Sequence, residues 1–208
     1  QPDLAVVVLA VRAGAVAARM GHAALLAAGR ALRLIGVHVK SKAPHGANDE
    51  AHARRLAIQN RRKQMAECLW LRARIEEHLK AGDSLLVMGD FNDGPGLDEY
   101  EALFGRSGLD IAAGTDARPA LRLHDPHAQV LHGAKPTTAQ PASARFYLDG
   151  PGQYFSAMLD FILISPDLMQ YAPAWRIWHP FDDPVLYRDP DLREALLGLD
   201  DVQRRRFA

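Results

Sequence analysis

The chain has 208 residues and equal numbers of basic and acidic side chains, 25 of each. That length suits one domain, and without net charge at pH 7 the chain lacks the overall positive field that holds nucleic acid nonspecifically. The single cysteine, Cys68, excludes an internal disulfide and a cysteine-rich zinc site. Because its apolar runs are far shorter than the roughly 20 residues of a membrane span, we expect a soluble protein with no membrane partner.

The first third of the chain predicts two strands. Residues 4–11 are apolar and valine-rich, which favours a strand, whereas the Ala- and Gly-rich residues 13–29 predict a loop or a short helix. Residues 32–40 predict a strand buried on both faces, because they form a short apolar run with β-branched residues. A loop begins at Lys40, so His38 lies near the C-terminal end of this strand.

Residues 49–80 predict a long helix, with apolar residues every three or four positions between charged ones. The apolar positions are Ile58, Met65, Cys68, Leu69, Ile75 and Leu79. The arginines between them, Arg54, Arg55, Arg61 and Arg62, are most simply its solvent-exposed face. Residues 85–88 then predict a short strand, and the succession of strand, helix and strand indicates layered α and β structure.

The second half of the chain is less regular. Residues 105–144 predict loops with one short element, and aromatic residues then flank a Gly-Pro-Gly turn. Residues 159–164 predict another buried strand, which carries one acid, Asp160. In the proline-broken tail we expect a short helix over residues 191–197 and a basic segment at residues 204–206.

The Gly-rich turn after the strand at residues 85–88 carries the first candidate site, formed by Asp90, Asn92 and Asp93. A sheet fixes the backbone at such a point while the side chains face an open crevice. Carboxylate and amide oxygens are ligands that Mg²⁺ and Mn²⁺ prefer. The alternative is that Asp and Asn only form the turn, through hydrogen bonds to their own backbone.

His38 and Asp160 are the other candidates, each with a structural alternative. A histidine at a strand end is often simply part of the structure. Asp160 lies among apolar residues, and burying it requires a His, Arg or metal partner. The alternative for Asp160 is a strand-end carboxylate that faces solvent.

Three stretches in this order resemble the endonuclease/exonuclease/phosphatase family, metal-dependent phosphoesterases with the deoxyribonuclease I fold. They are Val-His-Val-Lys-Ser at residues 37–41, Gly-Asp-Phe-Asn-Asp at residues 89–93 and Leu-Asp-Phe-Ile-Leu-Ile-Ser at residues 159–165. A long helix bearing Arg and Gln lies between the first two, and the resemblance extends over residues 31–168.

The resemblance implies an α/β fold, a four-layer α/β/β/α sandwich with the active site at the rim of the sheets. It implies that Asp90 orients or deprotonates the attacking water, that Asn92 holds this water or the phosphate, and that His38 donates to a phosphate oxygen. Asp160 would brace a second histidine. Asp90 and Asn92 would bind Mg²⁺, with Mn²⁺ as the alternative metal. Lys40, followed by Lys42, could contact phosphate, or this loop could simply be solvated.

The sequence also departs from the family pattern. The family's metal-binding Glu and the acid that partners the first histidine lie upstream, where Asp3 is the only acid, and the terminal Ser-Asp-His should follow residues 204–208. We therefore expect residues 1–208 to be one incomplete domain of this fold, truncated at both ends and impaired as an enzyme on its own.

The expected function is that of a metal-dependent phosphoesterase, either a nuclease or a phosphatase, which hydrolyses a phosphate ester with an activated water. Nucleic acid is one candidate substrate. The alternative is a non-catalytic binding or interaction module that retains the same sandwich.

Overall fold

The computed structural model describes residues 21–27, 30–94, 104–128, 142–148, 152–175 and 177. The chain divides into two compact units, one of residues 1–135 with 160–173 and the other of residues 136–159 with 174–208. Within these described ranges, no helix is both long and apolar enough to cross a bilayer.

The larger unit contains a four-stranded mixed sheet. In chain order its strands are β1 (Gly21–Ala27), β2 (Arg30–His38), β3 (Ser84–Asp90) and β6 (Asp160–Ile164), and they lie side by side in that same order. β2 and β3 are parallel, and the other two pairings are antiparallel. The connection between β2 and β3 contains helix α1 (Glu50–Lys80), as a crossover between parallel strands requires.

Helix α1 confirms the prediction for residues 49–80. Asp49 is its N-cap, and the carboxylate Oδ1 of Asp49 accepts a hydrogen bond from the backbone N–H of His52 at 2.6 Å. Glu50 lies in the first turn, and His78 and Lys80 lie in the last, so charges at both ends complement the helix dipole.

The buried face of α1 differs from the prediction. Arg61 is fully buried, so its assignment to the exposed face is wrong, whereas Arg54, Arg55 and Arg62 are exposed as expected. Leu69, one of the apolar positions of the helical pattern, is 58% exposed. Hydrogen-bond partners for the Arg61 guanidinium, described below, explain why this position tolerates a cation. The buried stripe consists of Ala57, Arg61, Gln64, Cys68, Leu71, Arg72 and Ile75.

The strands of the large sheet are covered on one face rather than on both. In β2 and just after it, Ile35, Val37 and Val39 are buried while His38 between them is exposed. The prediction that this strand is buried on both faces is therefore wrong, because successive side chains alternate between a covered and a less covered face. Buried residues of the other strands complete the core: Leu85, Val87, Phe161 and Leu163.

The remaining elements of the larger unit agree in part with the sequence. β1 lies within residues 13–29, for which a loop or short helix was the prediction, so that prediction is wrong. Pairing along all of β1 with β2 outweighs the low β-propensity of its Ala- and Leu-rich sequence. A short helix, α2 (Gly108–Ala113), and a 3₁₀ turn (Pro119–Leu121) lie in the predicted loop region. A second 3₁₀ helix, Pro166–Tyr171, follows β6.

The smaller unit contains an antiparallel hairpin of β4 (Ala144–Leu148) and β5 (Gln153–Ala157), which the Gly-Pro-Gly stretch separates in sequence. The mixed α and β content agrees with the predicted α/β class, while the four-layer arrangement and the single-domain organisation stay predictions. The strand predicted at residues 4–11, the helix at 191–197 and the basic segment at 204–206 lie outside the described residues.

Candidate active site

Sheet pairing brings the three predicted site residues into one row. His38 pairs with Asp90 across the parallel β2–β3 contact, and Asp90 pairs with Asp160 across the antiparallel β3–β6 contact. Neighbouring strands lie about 4.8 Å apart, so residues 52 and 70 positions apart in the sequence become adjacent, with Asp90 in the middle. We call His38, Asp90 and Asp160 the strand-end row.

The strand-end row lies on the less covered face of the sheet. The His38 Nε2 atom is 3.6 Å from the Asp90 Oδ2 atom, and the His38 and Asp90 side chains are 60% and 33% exposed. Asp160 is also exposed. The expectation that Asp160 is buried is therefore wrong, while its role in bracing a histidine stays a prediction. The row presents an imidazole and two carboxylates to solvent.

The carboxyl group of Asp90 has a raised pKa. Burial is the largest cause, because it disfavours the charged form, and the neighbouring Asp160 carboxylate raises the pKa of Asp90 further. Hydrogen bonds from Asn92 and the charge of His38 act in the opposite direction. A carboxylate with a raised pKa is a stronger base, which suits a group that must accept a proton from water.

Hydrogen bonds of Asn92 connect the turn after β3 to the end of β2. Its backbone N–H donates to Asp90 Oδ1 at 2.7 Å, and its side-chain Nδ2 donates to both Asp90 Oδ2 and the Val39 carbonyl at 3.0 Å. The pair thus forms the turn through these hydrogen bonds, and its role in metal binding stays a prediction. Since both amide hydrogens are used, the side-chain oxygen of Asn92 is the atom through which it can contact a ligand.

Glycine is required at position 89, where the turn begins. Gly89 has φ +136°, and a Cβ atom at this position would lie 2.1 Å from the Val37 carbonyl oxygen. β2 and β3 therefore approach each other here in a way that any side chain would prevent. This close approach lies one residue before Asp90 and helps to place the row.

Asp93, the third acid of the turn, does not belong to the row. It is fully buried, and its Oδ2 accepts hydrogen bonds from Arg61 Nη1 and from the backbone N–H of Gly108, the latter at 2.5 Å. Lys42 Nζ lies 2.7 Å from Asp93 Oδ1. The suggestion that Asp93 is a metal ligand alongside Asp90 and Asn92 is therefore wrong, because its carboxylate is occupied by these donors.

Gln64 links this buried acid to the backbone of the turn. Gln64 Oε1 accepts from Arg61 Nη1 at 2.6 Å, and Gln64 Nε2 donates to the Phe91 and Asn92 carbonyls at 3.2 and 2.9 Å. We call Lys42, Arg61, Gln64 and Asp93 the Asp93 cluster. The sequence analysis did not predict this cluster. Arg61 and Gln64 lie on the same helical stripe as Cys68, and polar residues on such a stripe could have indicated a buried polar group.

The two lysines of the loop after β2 have different surroundings. The Lys40 backbone N–H donates to Glu67 Oε2 at 2.7 Å, and its side chain is partly exposed. Lys42 is only 13% exposed and its ammonium contacts Asp93. The phosphate-binding role expected of Lys40 stays a prediction, whereas Lys42 contributes to the buried cluster.

The chemistry of the row fits a divalent cation in part. Two adjacent carboxylates attract a cation, and the Asn92 amide oxygen adds a neutral donor of the kind that Mg²⁺ accepts. In the described ranges, however, no three or more His, Cys, Asp or Glu side chains converge as a metal-binding group. These residues therefore provide only part of a ligand set for a divalent cation.

The geometry can be compared with known proteins. Residues 20–183 match the profile of the Endonuclease/Exonuclease/phosphatase family, a range that contains every residue of the strand-end row and of the Asp93 cluster. A comparison with curated proteins found no match. Members of the matched family are generally hydrolases that act on phosphate esters and typically depend on divalent metals. The match covers most of the sequence, and the chain belongs to the endonuclease/exonuclease/phosphatase family.

Proposed function

We propose that this chain hydrolyses a phosphate ester, with water as the nucleophile, at the row formed by His38, Asp90 and Asp160. The observation that carries the proposal is the sheet register, which sets an imidazole and two carboxylates side by side at exposed strand ends. Family membership supports the same class of reaction.

Asp90 is proposed as the group that orients the water and accepts its proton. The raised pKa of its carboxyl supports this role. His38 is proposed to donate a hydrogen bond to a phosphate oxygen, because its ring is exposed and lies 3.6 Å from Asp90. The Asn92 side-chain oxygen is proposed to hold the water or the phosphate, and Lys40 is proposed to contact the phosphate.

We further propose Mg²⁺ as the divalent cation, with Mn²⁺ as the alternative. Asp90 and the Asn92 oxygen would hold it, beside the second carboxylate of Asp160. When bound, the cation would neutralise charge on the phosphate group. It would also offset the repulsion between Asp90 and Asp160, which raises the pKa of Asp90.

The test is hydrolysis of bis-(p-nitrophenyl) phosphate and p-nitrophenyl phosphate by the full-length protein over a titration of Mg²⁺ and of Mn²⁺. We expect metal-dependent turnover that falls about 10²- to 10⁴-fold in Asp90→Asn, the range for loss of a general base. Arg62→Ala, on the exposed face of α1, is the matched control and should retain full activity. The preferred substrate distinguishes a diesterase, as a nuclease would be, from a monoesterase.

Equal rates in Asp90→Asn and the native protein would remove Asp90 from the reaction. Absence of turnover with either metal and either ester would instead favour the alternative of a non-catalytic module with the same fold.

A further inference from the structure

Asp93 is the point where three separate segments of the larger unit meet. Lys42 comes from the loop after β2, Arg61 from helix α1, and Gly108 from the first turn of α2, and all three donate to its carboxylate. Asp93 itself belongs to the turn after β3, three residues beyond Asp90. One buried side chain thus connects the two loops that follow the parallel strands.

These two loops carry the proposed chemistry. β2 ends at His38 and the loop after it includes Lys40, while β3 ends at Asp90 and the turn after it contains Asn92. Two backbone-directed hydrogen bonds join the ends of the strands, from the Val39 N–H to the Asp90 carbonyl and from Asn92 Nδ2 to the Val39 carbonyl. The Lys42–Asp93 contact adds a charged connection deeper in the structure.

The electrostatics of the cluster make its geometry well defined. Two cations, Lys42 and Arg61, face one carboxylate, and the Arg61 and Asp93 side chains are both 0% exposed. In such surroundings a charge is tolerated only with close partners, so displacement of one member is opposed by the whole group. Arg61 also donates to the Arg106 carbonyl at 2.9 Å and lies over the Phe104 ring.

We propose that Asp93 is a positioning residue, which acts through Lys42 and Arg61 to set the loop after β2 against the turn that carries Asp90 and Asn92. This inference rests on the proposed function for its catalytic consequence. It goes further by assigning a purpose to a buried ionic group that touches neither substrate nor metal.

Lys42 gives the cleanest test, because it is the least buried member and is not part of α1. In Lys42→Met we expect kcat to fall about 10- to 100-fold, since displacement of reacting groups by about 1 Å has effects of that size. KM should change little, because substrate binding is not removed. Lys42→Arg should restore most of the rate, and Lys63→Met, on the exposed face of α1, should match the native protein.

A second readout does not depend on activity. The Asn92 N–H is hydrogen-bonded to Asp90 Oδ1, so its exchange with deuterium reports on the turn. Exchange in a peptide spanning residues 89–93 should be faster in Lys42→Met and normal in Lys42→Arg. Thermal unfolding of each variant shows whether the protein is folded at the temperature of the measurement.

The outcomes separate the two proposals. If the native protein hydrolyses phosphate esters and Lys42→Met has normal kcat and normal exchange, the positioning role is wrong and the proposed function stands. A higher KM at unchanged kcat would make Lys42 a substrate contact and also overturn the positioning role. If no variant has activity but exchange increases as expected, the proposed function fails while the structural connection through Asp93 stands.

Discussion

The strand-end row and the Asp93 cluster are two groups of polar side chains in very different surroundings. Their acids Asp90 and Asp93 are only three positions apart in the sequence. The row is exposed, and its two carboxylates repel each other, which raises the pKa of Asp90. The cluster is buried, and its carboxylate accepts hydrogen bonds from Lys42, Arg61 and the Gly108 N–H. Like charges thus lie side by side in the exposed row, whereas opposite charges are paired inside the cluster.

This difference predicts opposite responses to mutation. Removing a charge from the cluster leaves its partner buried without compensation, which destabilises the fold. Removing one carboxylate charge from the row relieves repulsion, so it should lower activity without lowering stability.

The largest stability effect is expected for Arg61→Met. The change leaves Asp93 buried with fewer donors, and breaking a buried ion pair in this way costs about 3–5 kcal/mol. Urea unfolding should therefore show a large fall in the free energy of unfolding. The exposed neighbour Arg62→Met is the control and should change it by no more than about 0.5 kcal/mol. Similar losses in both variants would contradict the burial of Arg61.

A smaller effect is expected at the start of α2, where the chain packs tightly against the cluster. A Cβ atom at Gly108 would lie 2.7 Å from Cys68 Sγ and 3.0 Å from Asp93 Oδ2. Gly108→Ala should thus destabilise the protein by about 1–3 kcal/mol through overpacking. Adding Cys68→Ala removes the closest atom, so the double variant should lose less than the two single variants combined. Strict additivity in urea unfolding would show that Cys68 does not limit this site.

The smallest effect is expected at Asp90, where the pH dependence carries the information. The folded-state pKa of Asp90 is raised, so the folded protein binds more protons than the unfolded chain and loses stability as pH rises from 3.8 through the raised value. Asp90→Asn removes this pH-dependent contribution to stability. The Tm of the variant minus that of the native protein should become more positive over this interval and then remain constant. A difference that falls with pH would mean that ionised Asp90 is stabilised by the fold.

The sequence predicts the row better than the cluster, for a physical reason. His38, Asp90 and Asp160 stand at the ends of apolar runs, and the ends of paired strands meet at a sheet edge, so local patterns are sufficient to identify them. The roles of these residues stay predictions.

Burial of Arg61 and Asp93 depends instead on long-range contacts that no local pattern contains. The two residues are 32 positions apart, and Arg61 lies beside Arg62, which has the same chemistry and the opposite exposure. Helical spacing with Gln64 and Cys68 could have indicated the buried side of α1, but only the folded chain supplies the partner. β1 is a similar case, since its pairing with β2 and not its composition makes it a strand.

Because side chains alternate between the two faces of β3, the number of residues in this strand is as tightly restricted as their identity. One extra residue between Leu85 and Asp90 would turn the Asp90 carboxylate toward the core, where Val87 now lies. Two extra residues would return it to the correct side but move it about 6–7 Å along the strand, away from His38. Insertions and deletions among homologous sequences should therefore be absent from the last residues of β2 and β3, and common in the segments that connect the strands.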